Sequence, residues 1–436
     1  MVKRAAVSHQ LTRCLTEPLF EQALAQACEL DAHLQRTGKP LGPLHGLPVS
    51  IKDSFNFPGV DSSIGLAALA FHPASEPSSL SALLTSLGAV IIAKTNVPQT
   101  LAALDSCNNL FGRTLNPLNR QLTAGGSSGG EGVLIAMRGA MVGFGTDIGG
   151  SIRVPAMCNG VYGFKPSQGR VPFGGQAMGQ LEGKGRIALQ AVGGPLARSV
   201  EDMDVVMREI VPRAELFGED CMPGTWNLPV PGQLTVGVLK SDGLVEPLPP
   251  VTKVLEEVAG ILGRTPGVNV VEIPVHPALS KCQGLAGRLM GVDDGATMMD
   301  LLESTGEPLI PWLQPGRMKR GKALTVQQLA QLQAQRSKIE KELLSMWTPG
   351  KTNAPRQVDA IILPVAPHPA PEIDRYNAVG YTSSFVLLDY PAGVVPVRQF
   401  GESDLESGRE FTVPVKGSWD RANRELCKSL PFDRGA

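Results

Sequence analysis

The run from Thr123 to Ala156, TAGGSSGGEGVLIAMRGAMVGFGTDIGGSIRVPA, constrains the fold more than any other part of the chain. Two glycine-rich loops, each carrying serine, bracket an apolar segment that must leave the first loop and arrive at the second in little more than twenty residues. GGEGVLIAMRG passes from loop into helix near Gly130. MVGFGTD is a short apolar run bounded by glycine and aspartate, the pattern of a strand buried on both faces. The same alternation extends in both directions. Residues 17–36 place Phe20, Ala23, Leu24, Ala27, Leu30 and Leu34 at helical spacing, with Thr16 and Pro18 as entry signals and Gly38 and Pro40 as stops. LPVSIKD is a short strand that terminates in Lys52 and Asp53, Ser78 to Gly88 a helix with a glycine stop, and AVIIAKTN a second buried strand.

Further on, LTVGVLKSDG predicts a strand, PVTKVLEEVAGILG a helix, NVVEIPV a strand, residues 324–347 a long helix and VDAIILPVAPHPAP a strand with a proline-rich turn. Helices alternating with strands predict an α/β fold around a largely parallel sheet. No internal repeat or low-complexity linker divides the chain, so residues 1–400 are expected to form one domain. The polar, weakly patterned residues 401–436 are expected to be an irregular tail.

Composition narrows the function. A net charge of −1 argues against an electrostatic grip on nucleic acid or anionic membrane. Seven widely spaced cysteines without a C-x-x-C pair are expected to be reduced thiols. The start, MVKRAAVSHQ, has basic residues but no apolar run behind them, and no stretch of about 18 apolar residues predicts a spanning helix. The expectation is a cytoplasmic protein with no transmembrane segment. Neither H-E-x-x-H nor paired Cys/His ligands occur, so no metal or cofactor is expected.

Chemistry is suggested by TDIGGS, where Ser151 follows two glycines with Asp147 and Arg153 close by and no histidine near. Gly125–Gly129 satisfies the literal G-x-S-x-G string, but the preceding NPLNRQLTA is not a strand, as a nucleophile elbow requires. S-x-x-K occurs at no serine, and GGSSGGEG lacks the G-K-[ST] ending of a phosphate loop. The remaining scheme makes Ser151 a nucleophile, with backbone N–H groups of Ile148, Gly149 and Gly150 converging on a tetrahedral oxyanion. Loss of one such donor costs about 3 kcal/mol of barrier. The base is then a lysine, neutral only if burial pulls it below its usual value of about 10.4. Lys52 and Lys94 both end apolar strands, and spacing alone does not choose between them. Ser127 lies in the right kind of loop to relay the proton.

HGLPVSIKDSF, the Thr123–Ala156 run and GFKPSQGR resemble the core of the amidase signature family of serine hydrolases, including the interval of 24 residues between Ser127 and Ser151. TNVPQTL, CLTEPLFEQAL, DGATMMDLLESTGEPL and LLDYPAGVVPV resemble the fungal acetamidase-like branch, near the fatty-acid amide hydrolases. The resemblance implies the amidase signature fold, a large mixed, mostly parallel sheet covered by helices on both faces, with the signature core at about 45–200. It implies a triad of Ser151 as nucleophile, Ser127 as bridge and Lys52 as base, with a cis Gly126–Ser127 peptide. Ile148, Gly149, Gly150 and Ser151 would supply oxyanion donors, while Ser128, Thr146, Asp147 and Arg153 would hold that loop or line the substrate. Lys94 becomes a structural partner and His45 a turn residue. The implied partner is a small-molecule amide, cleaved to acid and amine or ammonia, with no cofactor or metal; a homodimer is compatible with the pattern.

Asp105 stands where this branch usually has Glu, and Val386 where it commonly has Asn. The ends look shorter than in family members: leading helices and a closing P-x-G-L-Q-L-x-G strand are not recognisable. The alternative expectation is a weakly active or inactive amidase-like paralogue that acts as a binding module.

Overall fold

The computed structural model describes residues 1–181, 183–227, 232–314, 316–348, 358–401, 404 and 413–428. The chain forms two compact units: Met1–Asn227 with Asp293–Ala323 and Asp389–Pro396, and Leu228–Val292 with Leu324–Leu388 and Val397–Ala436.

The first unit is built on a seven-stranded sheet. Its order is Leu15–Pro18, Val90–Thr95, Pro48–Lys52, Val142–Asp147, Val192–Ala197, Tyr162–Lys165 and Ala392–Val394. Pro48–Lys52 pairs in parallel with both of its neighbours, and the outer pairings are antiparallel. The sheet is therefore mixed: the strands at 48–52, 90–95, 142–147 and 162–165 run one way and the other three oppose them.

The strand Pro48–Lys52 is buried on both faces, and its side chains alternate across the sheet. Val49 and Ile51 enter a core with Leu80, Leu83 and Leu84 of the Ser79–Ser86 helix and Met203, Val206, Met207 and Ile210 of the Val200–Ile210 helix. On the opposite face, Ser50 donates a hydrogen bond to Glu131 of the Gly129–Ala136 helix. Helices thus flank this strand on both sides, as an α/β fold requires.

The first long helix is Phe20–Thr37, and it is preceded by a strand rather than entered at Thr16 and Pro18. That strand, Leu15–Pro18, pairs with Val90–Thr95 at the sheet edge, a position that tolerates proline, with Thr16 at a bulge in the pairing. Of the six periodic residues, Ala23 and Leu30 are buried and Leu24 and Leu34 face solvent.

The second unit has an all-parallel sheet in which Leu234–Val238 lies between Val268–Glu272 and Ala360–Ile362. The long helix runs Val326–Leu343, with Thr325 and Gln328 closing a reciprocal cap at its start. Within the expected irregular tail, Ser418–Lys428 is helical. It is held by polar groups rather than by an apolar stripe. The buried Asp420 carboxylate accepts from the N–H groups of Glu246 and Lys416, each at 3.0 Å, and Asn423 donates to the Glu246 carbonyl at 2.9 Å. The remainder of that tail, apart from 401, 404 and 413–417, lies outside the described residues. Among the described residues no helix is long and apolar enough to cross a membrane.

Candidate active site

Lys52 is the last residue of the Pro48–Lys52 strand, and its side chain is fully buried. Its Nζ donates to the Ser127 hydroxyl and to the Thr146 hydroxyl, each at 2.7 Å. Burial lowers its pKa to about 7, against the opposing pull of Asp147, Glu131 and Asp53. An amine poised there is partly neutral at physiological pH and able to take a proton.

Ser127 is buried, and the Gly126–Ser127 peptide is cis. Ser128 ties the two glycine loops together: its N–H donates to the Ser151 carbonyl at 3.2 Å, and its hydroxyl accepts from Thr146 N at 3.3 Å. Ser151 is 7% exposed, just ahead of the short Arg153–Asn159 helix. Gly150, at φ 132°, makes the turn in a conformation that a side chain disfavours.

Asp147 organises this turn. Its carboxylate accepts from Gly150 N at 2.8 Å and Ile152 N at 3.2 Å, and the Arg153 guanidinium grips both oxygens at 2.9 Å. Burial alone would raise its pKa; the Arg153 charge outweighs burial and holds the group below the usual carboxylate range. The Gly150 N–H, expected among the oxyanion donors, is accordingly turned to Asp147. An ionised carboxylate is a stronger acceptor than a neutral carbonyl, so this bond also fixes the turn. Ile148 and Gly149 are partly exposed in the same turn. Asp147→Ala strands the buried Arg153 charge and is expected to cost about 3–5 kcal/mol of stability, read by urea denaturation; a loss below about 1 kcal/mol would contradict this role.

The two lysines left open by spacing go to different partners. Lys94 donates to the Asp61 carbonyl and to the Ser62 hydroxyl, the latter at 2.6 Å. His45 is a turn residue, its Nδ1 accepting from Leu41 N at 2.9 Å. Asp105 accepts from the Thr123 hydroxyl at 2.7 Å and pairs with Arg113. Two buried groups escaped the sequence reading although they sit in motifs that it quoted. Lys165 of GFKPSQGR donates to the Pro166 carbonyl at 2.8 Å and is pulled by burial to a pKa of about 8, with Asp147 opposing. Glu131 of GGSSGGEG accepts from Ser50 and Thr95. Their burial depends on strands distant in sequence, and no local pattern signals it. Among the described residues no group of three or more His, Cys, Asp or Glu is placed to hold a metal ion.

Fold and site together define an α/β protein in which a buried lysine and the serines of two glycine-rich loops are drawn into one hydrogen-bonded region. The amidase family model matches residues 1–419. Over 399 residues the chain is 38% identical to Amidase 1 of Gibberella moniliformis, covering 90% of this chain and 75% of that one. Over 418 residues it is 34% identical to the acetamidase of Emericella nidulans, covering 94% and 75%. The solved structure of fatty acid amide hydrolase aligns with a TM-score of 0.86 at 29% identity, over 97% of this chain and 74% of that one. The chain belongs to the amidase family and is a hydrolase that acts on amides.

Proposed function

We propose that the protein hydrolyses a linear carboxylic amide to the acid and an amine or ammonia through Lys52, Ser127 and Ser151. Neutral Lys52 takes the Ser127 proton as Ser127 takes that of Ser151, and the Ser151 oxygen attacks the carbonyl carbon. The resulting oxyanion is met by backbone N–H groups of Ile148, Gly149 and Ser151, since that of Gly150 is held by Asp147. On collapse the proton returns along the same path to the leaving nitrogen, which departs as a neutral amine. Water, deprotonated by the same relay, then cleaves the acyl ester and restores Ser151. The observation that carries this reading is the buried amine–hydroxyl contact of 2.7 Å between Lys52 and Ser127.

The family match runs through both compact units, which supports reading residues 1–400 as one amidase domain. A fluorophosphonate is expected to label the purified protein at Ser151, located by peptide mass spectrometry. Folded protein that remains unlabelled would favour a binding module without catalysis. Because the base must be uncharged, kcat/KM should rise with pH through about 7, where Lys52 loses its proton, and fall below it. A profile flat from pH 5.5 to 8.5 would contradict a lysine base.

A further inference from the structure

Glu131 has no task in the proposed reaction, yet three elements are shaped around its fully buried carboxyl. It stands in the first turn of the Gly129–Ala136 helix that follows Ser127 and Ser128. Ser50 donates to Oε2 at 2.6 Å, and Thr95 donates to Oε1 at 2.8 Å. Ser50 lies two residues before Lys52 on the same strand, so the two side chains share a face. Thr95 is the register partner of Lys52 itself. The third wall is Gly143, the register partner of Ser50: a Cβ there would collide with Glu131 Oε2.

The choice of hydroxyl partners is informative. An arginine or lysine partner would hold the acid as a permanent anion, whereas a hydroxyl rotates to donate or to accept and so suits either protonation state. Burial raises Glu131 to a pKa of about 8, with Ser50 and Thr95 pulling it back, while burial lowers Lys52 to about 7. Lys52 also feels the charges of Asp53, the residue after its strand, and of Asp147 on the neighbouring strand; the Glu131 charge in turn adds to the burial that raises the Cys14 thiol. Groups titrating so close together release protons as a pair.

We infer that Glu131 is a positioning residue for the proposed base: its carboxyl, held by Ser50 and Thr95 beside Lys52 in the sheet, acts through its charge on the amine and so governs when that amine is free. The inference rests on Lys52 being the base. Loss of one proton from the pair yields either a free amine beside a carboxylic acid or an ammonium beside a carboxylate. Only the first arrangement accepts a proton from Ser127, and the second holds the enzyme idle.

Glu131→Gln keeps the size of the side chain and removes the idle arrangement. Kinetics of amide hydrolysis by the purified full chain, from pH 5 to pH 9, should show the acid limb of kcat/KM moved down by about one pH unit. KM on the plateau should stay within about twofold of the original value. Ser50→Ala removes a donor from the carboxylate, favours its protonated form and should move the limb the same way by less. An acid limb unmoved in Glu131→Gln overturns the inference; if that variant does not fold, an unmoved limb in Ser50→Ala does so. A Lys52→Ala variant measured alongside separates the two levels. Retained activity there removes the base assignment and this inference with it, whereas an inactive Lys52→Ala with an unmoved Glu131→Gln limb removes only the role of Glu131.

Discussion

Replacing Ser151 by alanine is expected to lower kcat/KM for amide hydrolysis by about four orders of magnitude or more, with KM little changed. The substitution removes one oxygen, the atom that carries the acyl group, and leaves the turn that presents it intact. The carbonyl of residue 151 still accepts from Ser128, and the Asp147 bonds to Gly150, Ile152 and Arg153 do not involve the serine side chain. Thermal stability should therefore stay close to that of the parent protein. Hydrolysis of a series of amides from acetyl to long acyl is the measurement. Activity within tenfold of the parent on its best substrate would remove Ser151 from the mechanism.

The second large effect concerns Lys52. Lys52→Met fills most of the same buried volume without an amine and should reduce kcat by about 10³–10⁴-fold. The rise in kcat/KM near pH 7 should vanish with it. Methionine is preferable to alanine here because it leaves no large cavity, so a lost rate cannot be blamed on collapse of the core. The cost to folding is expected to be small or even negative, since a fully buried amine is destabilising whenever it is charged. Retained melting temperature together with lost turnover distinguishes a base from a packing residue. Substantial turnover in the methionine variant would overturn the assignment.

The succession of helices and strands was legible because strands covered on both faces are rich in apolar residues: Val49 and Ile51, Val90 to Ala93, and Val142 and Phe144 carry that signal, although Ser50, Lys52, Lys94, Thr95, Thr146 and Asp147 interrupt or end it. The choice between Lys52 and Lys94 was not legible from spacing, because it depends on strand register. Lys94 pairs with Ile51 and Thr95 with Lys52; one step along a strand sends a side chain to the other face. Lys94 thereby reaches the 61–62 loop while Lys52 reaches Ser127. Resemblance supplied what spacing lacked.

Glu131 escaped for a related reason: its donors lie 81 and 36 residues upstream. The bond from the Gly150 N–H to Asp147 was not legible either, because a glycine-rich turn advertises donors without showing which of them a nearby carboxylate takes. The Ser418–Lys428 helix was hidden by its overall polarity: Asp420 and Asn423 dock it through hydrogen bonds, and only Trp419, Ala422 and the buried Leu426 mark an apolar period.

The strand Ala392–Val394, which closes one rim of the main sheet against Tyr162–Lys165, has a bearing on biogenesis. During translation the lysine, both serines and their turn emerge early, but this rim stays bare until residues beyond 390 have been made. Its unpaired N–H and C=O groups are then a template for strands of other nascent chains. Late arrival of one short segment makes the first compact unit dependent on the ribosome finishing its work, and chains released before that point are the ones most exposed to clumping.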